Sequence, residues 1–345
     1  MNIVIATNNG DIGGGEVMLL NLARVIRALG HKVTVLGPAS PDELLESARD
    51  EGFTTLTLPA TDRKSYMIQL RAWRARNRKS LLWCNGLVPS LATAGDTNRI
   101  VHLHQLPTGS QKYAYWLAKK GARAILVPSH FVASKIKNST VFENWVTEVP
   151  QPIAKTPPSS PIRVGFLGCP SLIKGTNTLA VALSSLNSEA ANSYQLVVGG
   201  TAKFVDNASQ NQVMESLLDL GDQVELLGWV TPEQLFAQTD LLVVPSEVDE
   251  SFGLVAAEAM SARHPLVISN AGALPEVVGE SYPWISRQKD SEHLAATVAS
   301  LAEQLLANDQ RLDEVLSENY WRWHELYSPD AGKERVRRLL KDLES

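Results

Sequence analysis

Leu241 to Gly279 reads LLVVPSEVDESFGLVAAEAMSARHPLVISNAGALPEVVG. The apolar run Leu241 to Val244 suits a strand buried on both faces of a parallel sheet. An acidic loop follows, and Ser251 is a good N-cap for a helix predicted to run to about Ala262. The amides of Phe252, Gly253 and Leu254 would then project from the positive end of that helix, a site for an anion. Glu250 stands just before the helix start and Glu258 inside it, with seven residues between them. At about 1.5 Å per residue Glu258 is predicted roughly 10 Å along the axis, on the face of Ser251 and Leu254. A diphosphate capped by the amides would reach one carboxylate with each of its substituents. Glu258 has Val255, Ala256, Ala257, Ala259 and Met260 around it, where an acid is costly unless something donates hydrogen bonds to it. Ribose hydroxyls would be such donors, and so would protein groups in an ordinary helix.

The spacing from Glu250 to Glu258, the wording SFGLVAAEAM and the later GALPEVV resemble the E-x7-E region of retaining glycosyltransferases of family 4. The resemblance implies an α/β fold of two Rossmann-like parallel-sheet domains facing a cleft, the B-type glycosyltransferase fold. It extends to Gly13-Gly14-Gly15-Glu16, similar to the family's GGAE opening, whose loop faces the donor phosphates and the acceptor. His104 matches the histidine of the family's HD pair, beside the donor sugar, although Gln105 replaces the aspartate. Lys174, in the run GFLGCPSLIKG, matches a diphosphate lysine, while Cys169 stands where relatives carry an arginine. Trp229 falls where relatives hold the base. Gln151-Pro152 replaces an NG dipeptide of the family.

Composition is compatible with this reading. The chain of 345 residues is long enough for two cores, and 44% hydrophobic with 20% charged residues is ordinary for a globular protein. Its two cysteines, Cys84 and Cys169, have no zinc or disulfide spacing, which points to a reducing cytoplasm. No apolar run approaches the roughly 18 residues of a membrane span, so the expectation is a cytoplasmic protein, soluble or peripheral at the inner membrane face. The net charge of -5 is uneven: residues 1–155 hold 19 Lys/Arg against 11 Asp/Glu, and the remainder is strongly acidic. That asymmetry favours an anionic partner for the first half.

From the start, NIVIAT, a glycine-rich loop, a helix from about Glu16 to Leu29 and HKVTVLGP form a βαβ unit. NAD does not fit, because the glycines miss G-x-G-x-x-G and the second strand ends at Gly37 rather than an acid. Three adjacent glycines favour close backbone approach over a simple capping turn. A basic helix, Lys64 to about Arg78, is predicted to place Arg71, Arg74 and Arg78 on one face and Tyr66, Leu70 and Trp73 on another. GFTTLTLP, LLWCNG, RIVHLHQLP and RAILVPS are further strands, with His104 at a strand end, where α/β sites are built, and His102 assigned to the scaffold. Pro150, Pro152, Pro157, Pro158 and Pro161 with Ser159 and Ser160 have linker composition, giving domains of 1–155 and 156–327. IRVGFLG, YQLVVGG, QVELLG, LLVVP, PLVIS and PWIS then alternate with helices, the mark of a second parallel sheet. Thr231-Pro232-Glu233-Gln234 is a capping box. Ser328-Pro329 opens a last helix, 328–345, which in relatives crosses back onto the first domain.

The expected function is therefore a retaining, metal-independent transfer of a sugar from a nucleotide-diphosphate donor, by default a uridine diphosphate (UDP) sugar, to a hydroxyl acceptor in glycan, polysaccharide or glycolipid synthesis. No DxD-like cluster stands at a strand end for Mg²⁺, so Lys174 and the amides from Phe252 to Leu254 would meet the leaving-group charge. Glu250 would hold sugar hydroxyls, Glu258 the ribose and His104 a sugar hydroxyl on the opposite wall. The resemblance adds a front-face course, the departing phosphate accepting the acceptor proton. No cofactor is expected beyond the donor. The acceptor is expected to be anionic or lipid-linked, with peripheral membrane contact and no nucleic acid, since the chain has no recognition motif for it. Two other classes stay open: a catalytically weak donor-binding partner subunit, which the Cys169, Gln105 and Gln151-Pro152 departures favour, and a sugar-nucleotide epimerase of the same architecture.

Overall fold

The computed structural model describes residues 1–151, 161–189, 193–201 and 207–344. Most of the predicted linker, Pro152, Pro157, Pro158, Ser159 and Ser160, lies outside them. The chain divides into two compact units, Met1–Trp145 with Pro329–Ser345, and Val146–Ser328. They part ahead of the proline cluster because Val146 and Val149 already belong to the second core, where the Val149 N–H donates to Ser261 Oγ at 3.0 Å.

In the first unit β1 (Asn2–Ala6), β2 (Lys32–Pro38), β3 (Thr54–Leu58), β4 (Leu81–Asn85), β5 (Arg99–His102), β6 (Ala124–Val127) and β7 (Thr140–Val141) form one parallel sheet in the order β3-β2-β1-β4-β5-β6-β7. Only the two-residue β7 was absent from the expected strands. In the second unit β8 (Ile162–Leu167), β9 (Tyr194–Gly199), β10 (Val224–Gly228), β11 (Leu241–Val244), β12 (Leu266–Ser269) and β13 (Ile285–Ser286) are parallel in the order β10-β9-β8-β11-β12-β13. Leu241, Leu242 and Val243 are at most 1% exposed, as a central strand covered on both faces requires, and each contributes about 1.5–3 kcal/mol of burial.

The order of each sheet locates its functional edge. Strand order reverses between β1 and β4 in the first unit and between β8 and β11 in the second. At such a switch point successive connections leave on opposite faces of the sheet, opening a crevice beyond the carboxyl ends of the two strands. The glycine loop follows β1, Asn85 ends β4, Lys174 follows β8 and Glu250 follows β11.

Capping chemistry sets the helix end at Thr231 where the sequence placed it. Thr231 accepts from the Gln234 N–H at 3.3 Å while the Thr231 N–H donates to Gln234 Oε1 at 2.9 Å. Asp290 accepts from the His293 N–H at 2.9 Å at the head of helix Ser291–Ala307. Helix Pro329–Glu344 belongs to the first unit, and Gly332 there lies so close to the Trp145 ring that an added Cβ would come within 2.3 Å of it.

The basic helix departs from expectation. It spans Arg63–Arg76, capped by Asp62, so Arg78 lies beyond it. Arg74 is 3% exposed and pairs with Asp96 at 2.6 Å while donating to the carbonyls of Asn77, Ser80 and Asn98. A buried guanidinium so enclosed is part of the scaffold, which dissolves the predicted face of Arg71, Arg74 and Arg78.

Candidate functional site

In the second unit the helix of the decisive stretch is Leu254–Ser261, with Gly253 rather than Ser251 as its N-cap. The reason is long-range: Glu250 bridges Gly272 in parallel fashion and its carbonyl accepts from the Ala273 N–H at 2.9 Å, so the chain is extended there. Gly253, at φ 110°, then turns into the helix through a backbone conformation that other residues rarely adopt. Its carbonyl takes the N–H groups of Ala256 and Ala257. By helix geometry the N–H groups of Leu254 and Val255 are the ones left without a helical acceptor. The ring of Phe252, 2% exposed, packs edge-on against Tyr327 and is core. Glu258 thus sits four residues past Leu254, roughly 6 Å along the axis rather than 10 Å.

Glu258 is partly buried and accepts no side-chain hydrogen bond among the described residues, and burial pushes its carboxyl up from 4.5 to about 7. Glu250 differs. Its Oε1 takes Lys174 Nζ at 2.5 Å and Ser246 Oγ at 2.6 Å.

Lys174 closes the short 3-10 turn Leu172–Lys174, which the left-handed Gly175 ends at φ 71°. A Cβ at Gly175 would lie 1.9 Å from the Pro245 carbonyl oxygen, so this loop is pressed against the end of β11. The Glu247 N–H donates to the Ile173 carbonyl at 2.9 Å, and Thr178 Oγ1 to Glu247. Gly175→Ala is expected to cost about 2–4 kcal/mol, from left-handed strain and displaced backbone together. Urea unfolding checks this, and a loss below about 0.5 kcal/mol would contradict the tight packing. Cys169 follows Gly168, is partly exposed, and offers its carbonyl to Ser171 Oγ at 3.1 Å. Trp229, just past β10, is 76% exposed and makes no hydrogen bond to Lys174, Glu250 or Glu258 among the described residues.

In the first unit the glycine loop caps helix Gly14–Ala28. Gly13 is the N-cap, its N–H donating to Glu16 Oε2 at 3.3 Å, and Thr7 Oγ1 reaches Glu16 Oε1 at 3.3 Å. Burial raises the Glu16 carboxyl above its usual range, against the hydrogen bonds from Asn9, Gly13 and Thr7. None of Gly13, Gly14 and Gly15 has a left-handed φ. Gly15 lets the helix start pass close to His104, since a Cβ there would lie 3.3 Å from its ring.

Asn85, which the sequence reading passed over, joins these parts. Its Nδ2 donates to the Gly15 carbonyl at 3.2 Å, and its Oδ1 lies 2.6 Å from His104 Nε2, which must therefore carry the proton. The available signal was a polar residue closing the apolar strand LLWCN at a carboxyl edge. Ser246, the partner of Glu250, was missed in the same way. His102 is scaffold: it is 1% exposed and accepts from Trp83 Nε1 at 3.3 Å.

Burial pushes the His104 imidazole down from 6.5 to about 4. The folded protein keeps it neutral where the unfolded chain takes up a proton, so its contribution is complete above about pH 6.5 and falls as pH drops toward 4. The loss between pH 7 and pH 4.5 is about 2–3 kcal/mol. His104→Gln should remove a drop of that size from the unfolding free energy, and an unchanged drop would contradict the assignment. Among the described residues no three His, Cys, Asp or Glu side chains gather in a group that could hold a metal ion.

Two family models match. "Glycosyltransferase Family 4" covers residues 12–153 and "Glycosyl transferases group 1" covers residues 161–304. Glycogen synthase of Mycobacterium tuberculosis is 31% identical over 50% of this chain and 42% of its own length, so the chain spans about two-fifths of that relative. Phosphatidyl-myo-inositol mannosyltransferase of Mycolicibacterium smegmatis is 25% identical over 78% of this chain and 75% of its own. The crystal structure of Anabaena HepE in complex with UDP-glucose superposes with a TM-score of 0.84 at 18% identity, covering 99% of this chain and 100% of that one. The chain belongs to the family 4-type glycosyltransferases and has the B-type glycosyltransferase fold.

Proposed function

We propose that the chain is a retaining, metal-independent glycosyltransferase that moves a sugar from a nucleotide-diphosphate donor, by preference a UDP-sugar, to a hydroxyl acceptor in glycan or glycolipid synthesis. The observation that carries the reading is the Lys174–Glu250 pair at the β8/β11 switch point, with Glu250 four residues ahead of the helix that starts at Leu254. A diphosphate there meets one lysine ammonium and a helix start, both suited to the charge that develops on the leaving group. Glu250 holds sugar hydroxyls, and Glu258 accepts from the ribose. His104 is the residue that the family resemblance assigns to a sugar hydroxyl, and it is neutral at pH 7 with Nε2–H committed to Asn85. The acceptor oxygen attacks the anomeric carbon on the face from which the diphosphate leaves. Its proton passes to the departing phosphate oxygen, so neither a metal nor a separate base is required. The printed names of relatives support this reading: one is a glycogen synthase, another a phosphatidyl-myo-inositol mannosyltransferase, and the Anabaena protein was crystallised with UDP-glucose. The reading places the enzyme in the cytoplasm, acting on an anionic or lipid-linked acceptor.

The test is incubation of the full chain with a panel of nucleotide-diphosphate sugars and hydroxyl acceptors, with and without a chelator. The expected result is chelator-insensitive release of the nucleoside diphosphate and a product whose anomeric configuration matches the donor. Donor binding without transfer or hydrolysis would support the partner-subunit reading instead. Epimerised donor in the absence of acceptor would support the epimerase.

A further inference from the structure

The short helix Gln111–Ala118 of the first unit presents unlike faces. Ala118 is fully buried and Ala114 and Tyr115 partly so, whereas Tyr113, Trp116 and Leu117 are 81%, 56% and 43% exposed. Those three positions follow a spacing of three and four, so the side chains form one outward apolar stripe. Single exposed hydrophobic residues are ordinary, but three large ones side by side on one helix mark a contact surface. Lysines rim the stripe. Lys112, Lys119 and Lys120 are all exposed, with Lys120 Nζ 3.7 Å above the Trp116 ring and Lys119 Nζ 5.7 Å above Tyr115.

Along the chain the charge of this stretch has one sign. From Thr97 to Phe142 the sequence contains no Asp or Glu. Some of the basic groups in this run serve the fold: Arg99 is wholly buried against the carbonyls of Ser90, Ala118 and Lys120, and Arg123 donates to the Leu343 carbonyl. Lys112, Lys119, Lys120, Lys135 and Lys137 remain on the surface.

We propose that helix Gln111–Ala118 is a docking face for the surface of an anionic lipid bilayer. Tyrosine and tryptophan combine an apolar body with a polar tip and favour the headgroup level, where leucine reaches the acyl boundary. Each lysine near an anionic leaflet raises partitioning roughly fivefold. Positive charge dispersed from Lys112 to Lys137 matches a dispersed anionic surface better than the few carboxylates of an acidic peptide. Among the described residues no helix is long and apolar enough to cross a membrane, so this contact is a peripheral one. The inference does not depend on the donor site, and its test is read as binding alone.

The full chain is sedimented with vesicles of phosphatidylcholine alone and of phosphatidylcholine with one-third phosphatidylglycerol, at low and high salt. The expected result is pelleting with anionic vesicles at low salt and release at high salt, with little pelleting by neutral vesicles. Lys119→Gln with Lys120→Gln should weaken the anionic affinity about twenty-fivefold. Trp116→Ser should weaken it at least about tenfold while the thermal melt of the protein is unchanged. Equal recovery in every supernatant, equal pelleting by both vesicle types, or a double variant that pellets like the native chain would overturn the proposal. So would sedimentation without vesicles that Trp116→Ser abolishes, since a second copy of the chain would then be the occupant.

Discussion

Lys174→Met is expected to lower the turnover of sugar transfer by about 10²–10³-fold, the loss that follows removal of one preorganised donor to a developing negative charge. Lys174 is well placed for this role. Its ammonium is held at 2.5 Å by Glu250, whose same oxygen also takes Ser246 Oγ, so the lysine is oriented before a ligand arrives. Since Lys174 is 38% and Glu250 16% exposed, breaking the pair should change stability by only about 1 kcal/mol. A large kinetic loss with a nearly unchanged melt therefore separates chemistry from folding. Glu250→Gln should also lower turnover, since it removes the anchor, while raising affinity for the free nucleoside diphosphate as the lysine is released to it. Steady-state kinetics decides the point, and a Lys174→Met turnover within about threefold of native would reject the role.

Glu258→Ala is expected to weaken binding of the nucleoside diphosphate by about 1.5–3 kcal/mol, the range for hydrogen bonds to a charged group. That corresponds to about 10- to 150-fold in Kd. The carboxyl stands at about 7 in the folded protein because it is buried, against 4.5 ordinarily. A folded value above the unfolded one means that this group's contribution to stability is full below about pH 4.5 and is lost as pH rises through about 7. Glu258→Gln should accordingly stabilise the unliganded protein at pH 8 more than at pH 5. A ligand whose hydroxyls donate to the carboxylate selects the ionised form, so native affinity should rise between pH 6 and pH 8 and binding near pH 7 should release protons. Calorimetry in buffers of different ionisation enthalpy measures that release. Equal affinity in native protein and Glu258→Ala would reject the ribose contact.

The parts of the structure legible in the sequence were those set by neighbours along the chain. Apolar runs marked nearly every strand because a sheet covered on both faces leaves no polar alternation to confuse them, and a capping box marked Thr231. What escaped was set by partners far away. Ser251 has every local property of an N-cap, yet the bridge from Glu250 to Gly272 holds the chain extended until Gly253. Arg74 shared a helical face with Arg71, but Asp96 and three carbonyls lie over it, so a charge predicted for the surface is internal. Asn85 and Ser246 have no local distinction at all. Their importance comes from parallel neighbours that bring the ends of β1 and β4, and of β8 and β11, side by side. The Lys174–Glu250 meeting was implied by family order alone, and the residues gave no distance.

The central claim is that the β8/β11 switch point of the second unit receives a nucleoside diphosphate. Titration of UDP into the native chain and into Lys174→Met at pH 8, followed by calorimetry, tests it most directly. The account predicts saturable binding of one UDP per chain and at least about tenfold weaker binding in the variant, in keeping with the strength of a charge-assisted bond to phosphate. UDP binding that is equally tight in both proteins, or no binding of UDP or any other nucleoside diphosphate to the native chain, would contradict it.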